Sequence, residues 1–289
     1  MSSASDSAPL APGLYLVGTP IGNLEDITLR ALRVLKESDV IACEDTRQTQ
    51  KLLNHFGITT RTSSYHEHNE IGRAEELVRQ LEQGQRIAVV SDAGMPGISD
   101  PGFRLVGLAI QHGLPVIPIP GASAFLSALV ASGFPTDSFA FRGFLPAKRG
   151  PRRQVLEGLK VAAETQVFYE APHRVIAALE DIVEVVGPER RVVIAREVTK
   201  FYEEFLRGSA HEIFENLKAR GEVRGEITLL VGKAEHAEAS AATTRVSLRK
   251  RLLEVMDGEK VDEKAALKRV AKELGISKSE AYREWQRSR

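Results

Sequence analysis

The chain has 289 residues, 43% hydrophobic and 27% charged, and its 39 Lys and Arg balance 39 Asp and Glu. This composition is that of a globular protein with room for two domains and a small module, and it excludes a fibrous or low-complexity chain. The balanced charge excludes a bulk electrostatic attraction to nucleic acid, so any basic surface must be local. Because Cys43 is the only cysteine, an internal disulfide and a thiolate metal cluster are excluded as well.

The first segment, residues 1–12, is rich in Ser, Ala and Pro and has neither a basic residue nor an apolar stretch. It is therefore predicted to be a disordered tail and not a secretory signal. No apolar run along the chain approaches the roughly 18 residues that a membrane span needs. With the single cysteine, these features predict a cytoplasmic protein.

Residues 13–125 alternate short apolar runs with helical periodicity, which is typical of βαβ units and predicts an N-terminal α/β domain with a parallel sheet. Asp26 and Asp45 are predicted to cap the first two helices. A third helix is predicted over Glu70–Glu82, and a fourth from Asp100 to His112. The predicted strands lie near 14–18, 39–43, 60–65, 86–91 and 115–119.

Three Gly/Pro segments directly follow apolar strands in this domain, namely 17–23 (VGTPIGN), 91–97 (SDAGMPG) and 120–123 (PGAS). Loops that leave the carboxyl ends of parallel strands line a crevice, and glycine lets the backbone approach a ligand there. Neither the dinucleotide-binding Gly pattern nor a phosphate-binding P-loop is present. A lining of small and apolar side chains with exposed backbone favours a small zwitterion with an adenosine, such as S-adenosylmethionine.

A second α/β region follows at 126–233 with its own alternation. Its strands are predicted near 138–143, 166–170, 191–196 and 225–232, and its helices near 152–160, 173–186 and 209–219. Residues 234–245 are small and polar, as in a linker. Residues 246–289 hold 12 Lys and Arg against 8 Asp and Glu and are predicted to form a helix-turn-helix-like module.

The three Gly/Pro segments resemble the cofactor loops of the tetrapyrrole-methylase-like S-adenosylmethionine-dependent methyltransferases. Further segments resemble the ribosomal branch of that family, which methylates the 2′-oxygen of a cytidine in 16S rRNA. They are 43–47 (CEDTR), 143–146 (GFLP), 168–174 (FYEAPHR), 196–204 (REVTKFYEE) and 225–232 (GEITLLVG). The resemblance implies two α/β domains with the active-site cleft between them, a C-terminal helical module, S-adenosylmethionine as cofactor, 16S rRNA in the small ribosomal subunit as substrate, and a homodimer.

Mapping the family's cofactor contacts onto this sequence gives one set of residues from each domain. The first domain contributes Pro20, Asp92, Ala93, Gly94, Ile98, Ser123 and Ala124, and the second contributes Tyr169, Glu170, Val198 and Thr228. This chain has Asp92-Ala93-Gly94-Met95-Pro96 where tetrapyrrole enzymes commonly have a Gly-Gly-Asp-Pro type of loop.

Five cations lie within twelve residues that contain no acid, interleaved with Phe141 and Phe144. They are Arg142, Lys148, Arg149, Arg152 and Arg153. A flexible basic loop with aromatic surface suits phosphate contact and base stacking on single-stranded RNA, and Arg174 and Lys200 are further candidate phosphate partners. The alternative is an ordinary solvated loop and helix start.

Methyl transfer to a ribose hydroxyl benefits from a general base or a group that orients the hydroxyl. The candidates are Glu44, Glu170, His173, Glu197 and Lys200, and each has an alternative role in an ion pair between domains. The imidazoles of His66 and His68 lack a third ligand at motif spacing, so no metal is predicted.

Two other functions are compatible with parts of the sequence. A methylase of corrin or porphyrin precursors would share the fold and the cofactor, but it would leave the basic segment and the terminal module without a role. A cofactor-dependent RNA-binding or ribosome-binding factor without catalytic activity would use both the basic segment and the terminal module.

Overall fold

A computed structural model describes residues 9–66, 69–99, 102–234, 248–257, 261–273 and 277–288. The first domain is built on a five-stranded sheet in which every neighbouring pair is parallel, in the order β3-β2-β4-β1-β5. Its strands are β1 (Gly13–Val17), β2 (Val40–Cys43), β3 (Thr62–Ser64), β4 (Arg86–Val90) and β5 (Val116–Ile119). Its helices are α1 (Leu29–Glu37), α2 (Thr46–His55), α3 (Glu70–Glu82) and α4 (Phe103–Gln111). The predicted parallel sheet is confirmed.

Both faces of this sheet are covered, which is why its central strands are apolar without alternation. Leu14, Ile87 and Val89 pack against α3 and α4 on one face, while Val17 and Ile41 belong to the core on the other. Strand β1 lies between β4 and β5, so the three Gly/Pro loops leave three adjacent strands at the same edge.

The helix starts follow from side-chain caps. Asp45 caps α2 as predicted, because its Oδ1 accepts the Arg47 N–H at 2.8 Å. The prediction for Asp26 is wrong. Asp26 ends a 3-10 turn (Leu24–Asp26), and the Thr28 hydroxyl caps α1 by accepting the Ala31 N–H at 3.1 Å.

The second domain has a mixed five-stranded sheet in the order β6-β7-β10-β8-β9, in which only β6 and β7 run parallel. Its strands are β6 (Phe139–Phe144), β7 (Thr165–Glu170), β8 (Arg191–Arg196), β9 (Glu204–Ser209) and β10 (Ile227–Val231). The helices are α5 (Ala124–Ser132), α6 (Arg149–Leu159), α7 (Val175–Val185) and α8 (Ala210–Arg220). Helices α6, α7 and α8 cover one face, and α5 covers the other.

Two elements of this domain have no counterpart in the sequence prediction. Helix α5 is apolar on nearly all sides and therefore lacks the amphipathic period that marks a surface helix. Strand β9 is an edge strand paired only with β8, and its partly buried residues are too polar for a strand signal. The predicted boundary at 125/126 falls in the first turn of α5.

Three helices form the C-terminal module: α9 (248–257), α10 (Glu263–Glu273) and α11 (Lys278–Ser288). Leu252, Val270 and Trp285 meet in a separate small core. Some sequence predictions fall outside the described residues: 1–8 of the predicted tail, 67–68, 100–101 at the predicted start of the fourth helix, 235–245 of the predicted linker, and 246–247, 258–260, 274–276 and 289 of the predicted module. Within the described ranges, no helix is long and apolar enough to cross a membrane.

Candidate active site

A cavity of about 830 Å³ lies between the two domains and is called the interdomain cleft below. Its volume falls within the roughly 300–1,000 Å³ of typical small-molecule sites. The first domain lines it with loop 2 (91–99) and loop 3 (120–123), together with Ile21 of loop 1 (18–23). The second domain lines it with the start of α5, the carboxyl end of β7, Val198, and the start of β10.

The three loops of the first domain are joined to one another by backbone contacts. Thr19 and Gly94 form an antiparallel bridge, in which each N–H donates to the other's carbonyl oxygen at 2.9 and 3.1 Å. The Thr19 hydroxyl also donates to the Ser91 carbonyl oxygen at 3.2 Å. Gly18 and Gly121 cross so closely that a Cβ on Gly121 would lie 2.7 Å from the Gly18 Cα. These loops therefore form one preorganised surface.

Most of the residues predicted to contact the cofactor lie on the wall of the interdomain cleft. They are Ala93, Gly94, Ile98, Ser123, Ala124, Tyr169, Glu170, Val198 and Thr228. Pro20, within loop 1, is buried and is absent from the cleft wall. Their contacts with a cofactor stay predictions.

Asp92 is the second exception, since it too is absent from the cleft wall. Its Oδ1 accepts the backbone N–H of Asp45 at 3.3 Å, which connects loop 2 to the start of α2. Burial raises the pKa of the Asp92 carboxyl above its ordinary value, and the hydrogen bond from the Asp45 N–H offsets only part of that rise. Asp92 therefore has a visible structural role in orienting the loops.

The cleft also includes residues that the sequence argument missed. Phe125 of α5 stacks on Phe141 of β6 with ring centroids 4.4 Å apart, and Phe141 contacts Tyr169 edge-on at 4.9 Å. This aromatic cluster supports the second-domain wall. In the sequence, the apolar run after loop 3 indicates that this segment is buried, but it does not show against which sheet the segment packs.

Glu170 is buried at the end of β7, and one of its carboxylate oxygens is bound by its own chain segment. Its Oε1 accepts the Ala171 N–H at 2.8 Å and the Arg174 guanidinium at 2.8 and 2.9 Å. Arg174 thus compensates a buried carboxylate, which constrains its predicted role as a phosphate partner.

The loop between β8 and β9, residues 197–203, is called the rim loop. Glu197 and Thr199 have φ of 52° and 70°, in the left-handed region that non-glycine residues rarely occupy. The Lys200 ammonium lies 2.9 Å from Glu197 Oε1 and 3.2 Å from Glu226 Oε1. Its aliphatic stem packs against Gly22 of loop 1, so Lys200 connects the two domains.

The pKa shifts of Glu197 and Lys200 distinguish the chemical roles open to each residue. Burial would raise the pKa of Glu197, but hydrogen bonds from the Glu226 N–H and Lys200 lower it below its ordinary value. Burial would lower the pKa of Lys200, but its two carboxylate partners raise it. Lys200 therefore keeps its proton at neutral pH and is a cation, not a general base.

The remaining catalytic candidates, Glu44 and His173, are both exposed. Glu44 directly follows β2 at the loop edge of the first sheet. His173 follows Pro172, which lines the interdomain cleft. Neither side chain is on the cleft wall itself.

The basic segment differs from the predicted flexible loop. Helix α6 begins at Arg149, and Arg149, Arg152 and Arg153 all contact the buried carboxylate of Asp181 in α7. Arg152 is only 5% exposed, with Nη2 2.6 Å from Asp181 Oδ2. A buried guanidinium with a buried carboxylate partner is not available to a phosphate, so the prediction that Arg152 binds RNA is corrected.

The other cations of this segment keep partial exposure. Arg149 and Arg153 also pair with Glu184 of α7, and Arg142 bonds to the Gln166 side chain. Lys148 is exposed at the N-cap of α6. Phe144, also exposed, lines the interdomain cleft. RNA contact by Arg142, Lys148, Arg149 and Arg153 stays a prediction.

Comparisons with known proteins agree with this geometry. A family model described as Tetrapyrrole (Corrin/Porphyrin) Methylases matches residues 13–213. Two curated relatives carry the name Ribosomal RNA small subunit methyltransferase I. The one from Halalkalibacterium halodurans is 49% identical over 93% of each chain, and the one from Escherichia coli O157:H7 is 44% identical over 93% of each chain.

A solved structure shows the same fold at lower identity. It is uroporphyrin-III C-methyl transferase from Thermus thermophilus complexed with S-adenyl homocysteine, with a TM-score of 0.55 and 20% identity over 76% of this chain and 97% of that one. The family model alone covers well over half of the sequence, and it includes the residues that line the interdomain cleft except those at 225–228. The chain is a member of the Tetrapyrrole (Corrin/Porphyrin) Methylases family.

Proposed function

We propose that the protein is an S-adenosylmethionine-dependent methyltransferase that methylates the 2′-oxygen of a cytidine ribose in 16S rRNA. The observation that carries this proposal is the relationship to proteins named Ribosomal RNA small subunit methyltransferase I over 93% of each chain. The span that matches the family model, residues 13–213, includes loops 1 to 3 and the rim loop. The substrate is accordingly the small ribosomal subunit, and the site of action the cytoplasm.

The walls of the interdomain cleft fit an S-adenosylmethionine molecule. Loops 2 and 3 offer backbone groups beside small residues such as Ala93, Gly94 and Ser123. Apolar side chains, Ile21 and Met95 among them, suit the faces of an adenine ring. The volume of about 830 Å³ leaves space for part of an acceptor nucleotide beside the cofactor. When bound, the cofactor supplies a methyl group activated by the sulfonium charge.

The chain's own contribution is mainly alignment. Methyl transfer in line depends on holding donor carbon and acceptor oxygen at near-attack distance, which rigid walls provide without reorganisation. The Thr19–Gly94 bridge fixes the cofactor side of the cleft, and Lys200 ties the rim loop to loop 1. Lys200, as a permanent cation, is assigned a positioning role, in which it holds Glu197 and Glu226.

Since Lys200 is a cation, the group that accepts or orients the proton of the ribose hydroxyl is a carboxylate or an imidazole. The candidates are Glu44, Glu170, His173 and Glu197. Alanine variants of each separate the roles, because loss of the base lowers kcat while cofactor affinity is retained. A variant that keeps both kcat and cofactor affinity removes its residue from the list of candidates.

Radiolabelled S-adenosylmethionine tests the proposed substrate. We expect label transfer to RNA in 30S particles that lack the modification, and none to precorrin or uroporphyrinogen substrates. Transfer to the tetrapyrrole alone would replace this proposal with the corrin and porphyrin alternative. Tight cofactor binding without transfer to any acceptor would favour a non-catalytic ribosome-binding factor.

We propose in addition that the protein acts as a homodimer. Leu126 and Val130 lie one turn apart on α5 and are exposed, although the opposite side of α5 packs into the second-domain core. Leu126 also borders the interdomain cleft, so the exposed side of α5 continues from the cleft rim. Such an apolar stripe is typical of a subunit interface. Sedimentation is expected to show a dimer for the wild type and a monomer for the Leu126→Glu, Val130→Glu double variant.

A further inference from the structure

The rim loop presents two aromatic rings to solvent. Phe201 is 93% exposed and Tyr202 is 68% exposed, and their ring centroids are 5.0 Å apart with the rings almost perpendicular. Residues of this size normally bury most of their surface. The exposure of both rings therefore indicates that they bind a ligand with an apolar or aromatic surface.

The backbone beneath the rings is held in one conformation. Thr199 donates its N–H to the Glu203 carboxylate at 2.7 Å, and tight turns join Lys200 N–H to the Glu197 carbonyl oxygen at 2.9 Å and Glu203 N–H to the Lys200 carbonyl oxygen at 3.1 Å. The left-handed conformations of Glu197 and Thr199 persist within this network. Backbone strain of this kind is concentrated at functional sites, where it preorganises a ligand contact.

The rings belong to the loop that contributes Val198 to the wall of the interdomain cleft. Phe201 follows Val198 by three residues, a distance of at most about 11 Å along the chain. Lys200, directly before Phe201, packs against Gly22 of loop 1. A ligand on the rings would thus lie beside a substrate that enters the cleft.

The size of the patch favours a nucleobase over a protein surface. Two aromatic side chains offer roughly 150–250 Å² each, whereas a stable protein interface buries about 800 Å² per partner. Charged residues flank the pair, with Lys200 before it and Glu203 and Glu204 after it. Each of the two nearly perpendicular rings offers its own flat apolar face inside a charged surround, and such a face matches one base.

We propose that Phe201 and Tyr202 form a stacking platform for bases adjacent to the target nucleotide in single-stranded RNA. This inference rests on the proposed function, since a ribose can reach the cleft only if its strand is unstacked locally. Stacking on aromatic side chains compensates for that unstacking and is tolerant of sequence. The platform therefore positions the RNA, while the cleft performs the chemistry.

The test measures methylation of undermethylated 30S particles by the full-length protein. For Phe201→Ala, Tyr202→Ala we expect KM for particles to rise at least about fivefold, because stacking is worth a factor of roughly 5 to 150 per base. We expect kcat to stay within about twofold, and calorimetry to give an unchanged affinity for S-adenosylmethionine. Phe201→Trp and Tyr202→Phe keep aromatic rings and are expected to retain the wild-type KM.

Two controls separate stacking from other effects. The Phe201→Leu, Tyr202→Leu variant keeps apolar surface without rings and is expected to behave like the alanine variant. Val161→Ala removes another apolar side chain that is 81% exposed, in the connection between α6 and β7, and is expected to change nothing. The cleft wall is formed by the opposite, carboxyl end of β7.

Three outcomes would overturn the platform. A wild-type KM in the alanine or leucine variants excludes a stacking contribution. A change of oligomeric state on sedimentation shows that the rings bind a second copy of the chain. If the wild type methylates no particle, the proposed function fails, and the platform is judged by fluorescence anisotropy with a labelled single-stranded RNA oligonucleotide. Equal affinity of wild type and alanine variant for that probe overturns it independently.

Discussion

Substitution of Gly121 by alanine tests whether the crossing of loops 1 and 3 shapes the cofactor site. A Cβ at this position would lie 2.7 Å from the Cα and 2.8 Å from the carbonyl carbon of Gly18. Carbon atoms pack well from about 3.5 Å, so one loop must move by roughly 0.8 Å. The obstructing atoms are backbone, and no change of rotamer relieves the contact.

This displacement is expected to affect stability and function together. Overpacking of a well-packed region costs about 1–3 kcal/mol of unfolding free energy. Ser123 and Ala124 directly follow on the cleft wall, and misplacement of a positioning group by about 1 Å costs up to roughly 100-fold in rate. We expect lower values of the unfolding free energy from urea titration, the affinity for S-adenosylmethionine from calorimetry, and kcat/KM.

Gly107→Ala is the matched control. Gly107 lies inside α4, and a Cβ there meets nothing within 4 Å. Alanine in a helix interior is favoured over glycine by about 0.5–1 kcal/mol, so this variant is expected to be slightly more stable and fully active. If Gly121→Ala retains wild-type stability and cofactor affinity, the close approach of the two loops does not define the site.

The remaining predictions concern charged groups. Asp181→Ala is expected to lower the unfolding free energy by about 3–5 kcal/mol, because it leaves the buried Arg152 unpaired. Burial would raise the pKa of Asp181, but hydrogen bonds from Arg149 and Arg152 hold it below 3.8. In the wild type, the ionised Asp181 therefore stabilises the fold at neutral pH, and this stabilisation is lost as pH falls below about 4 through the folded-state pKa. Urea titrations of Asp181→Asn should lack this pH-dependent part of the unfolding free energy. Lys148→Ala is expected to reduce the slope of log RNA affinity against log salt by about 0.7 in filter-binding assays, while Arg152→Gln leaves the slope unchanged.

The first domain was largely predictable because its buried parallel strands are short apolar runs that end in glycine and proline. The sequence could not show that β1 lies between β4 and β5. That strand order brings loops 1, 2 and 3 together, and it depends on crossover connections that no local pattern encodes.

The structure of the second domain was harder to predict from the sequence, for specific physical reasons. Helix α5 packs one side into the second-domain core and exposes the apolar Leu126 and Val130 on the other. Because both sides are apolar, its sequence has no periodic signal. The corrected role of Arg152 depends on Asp181, which lies 29 residues away in the next helix. Nothing local distinguishes a cation that will be buried against a distant carboxylate from one that stays in solvent.

The position of the transferred methyl group shows whether the interdomain cleft joins S-adenosylmethionine to a ribose. Undermethylated 30S particles are incubated with the protein and methyl-labelled S-adenosylmethionine, and the purified 16S rRNA is hydrolysed in alkali. A 2′-O-methyl group removes the hydroxyl that attacks the neighbouring phosphodiester, so the label should remain in an alkali-resistant dinucleotide that contains cytidine. Label on a base, label in ribosomal protein, or no label in RNA would contradict an interdomain cleft that joins S-adenosylmethionine to a ribose.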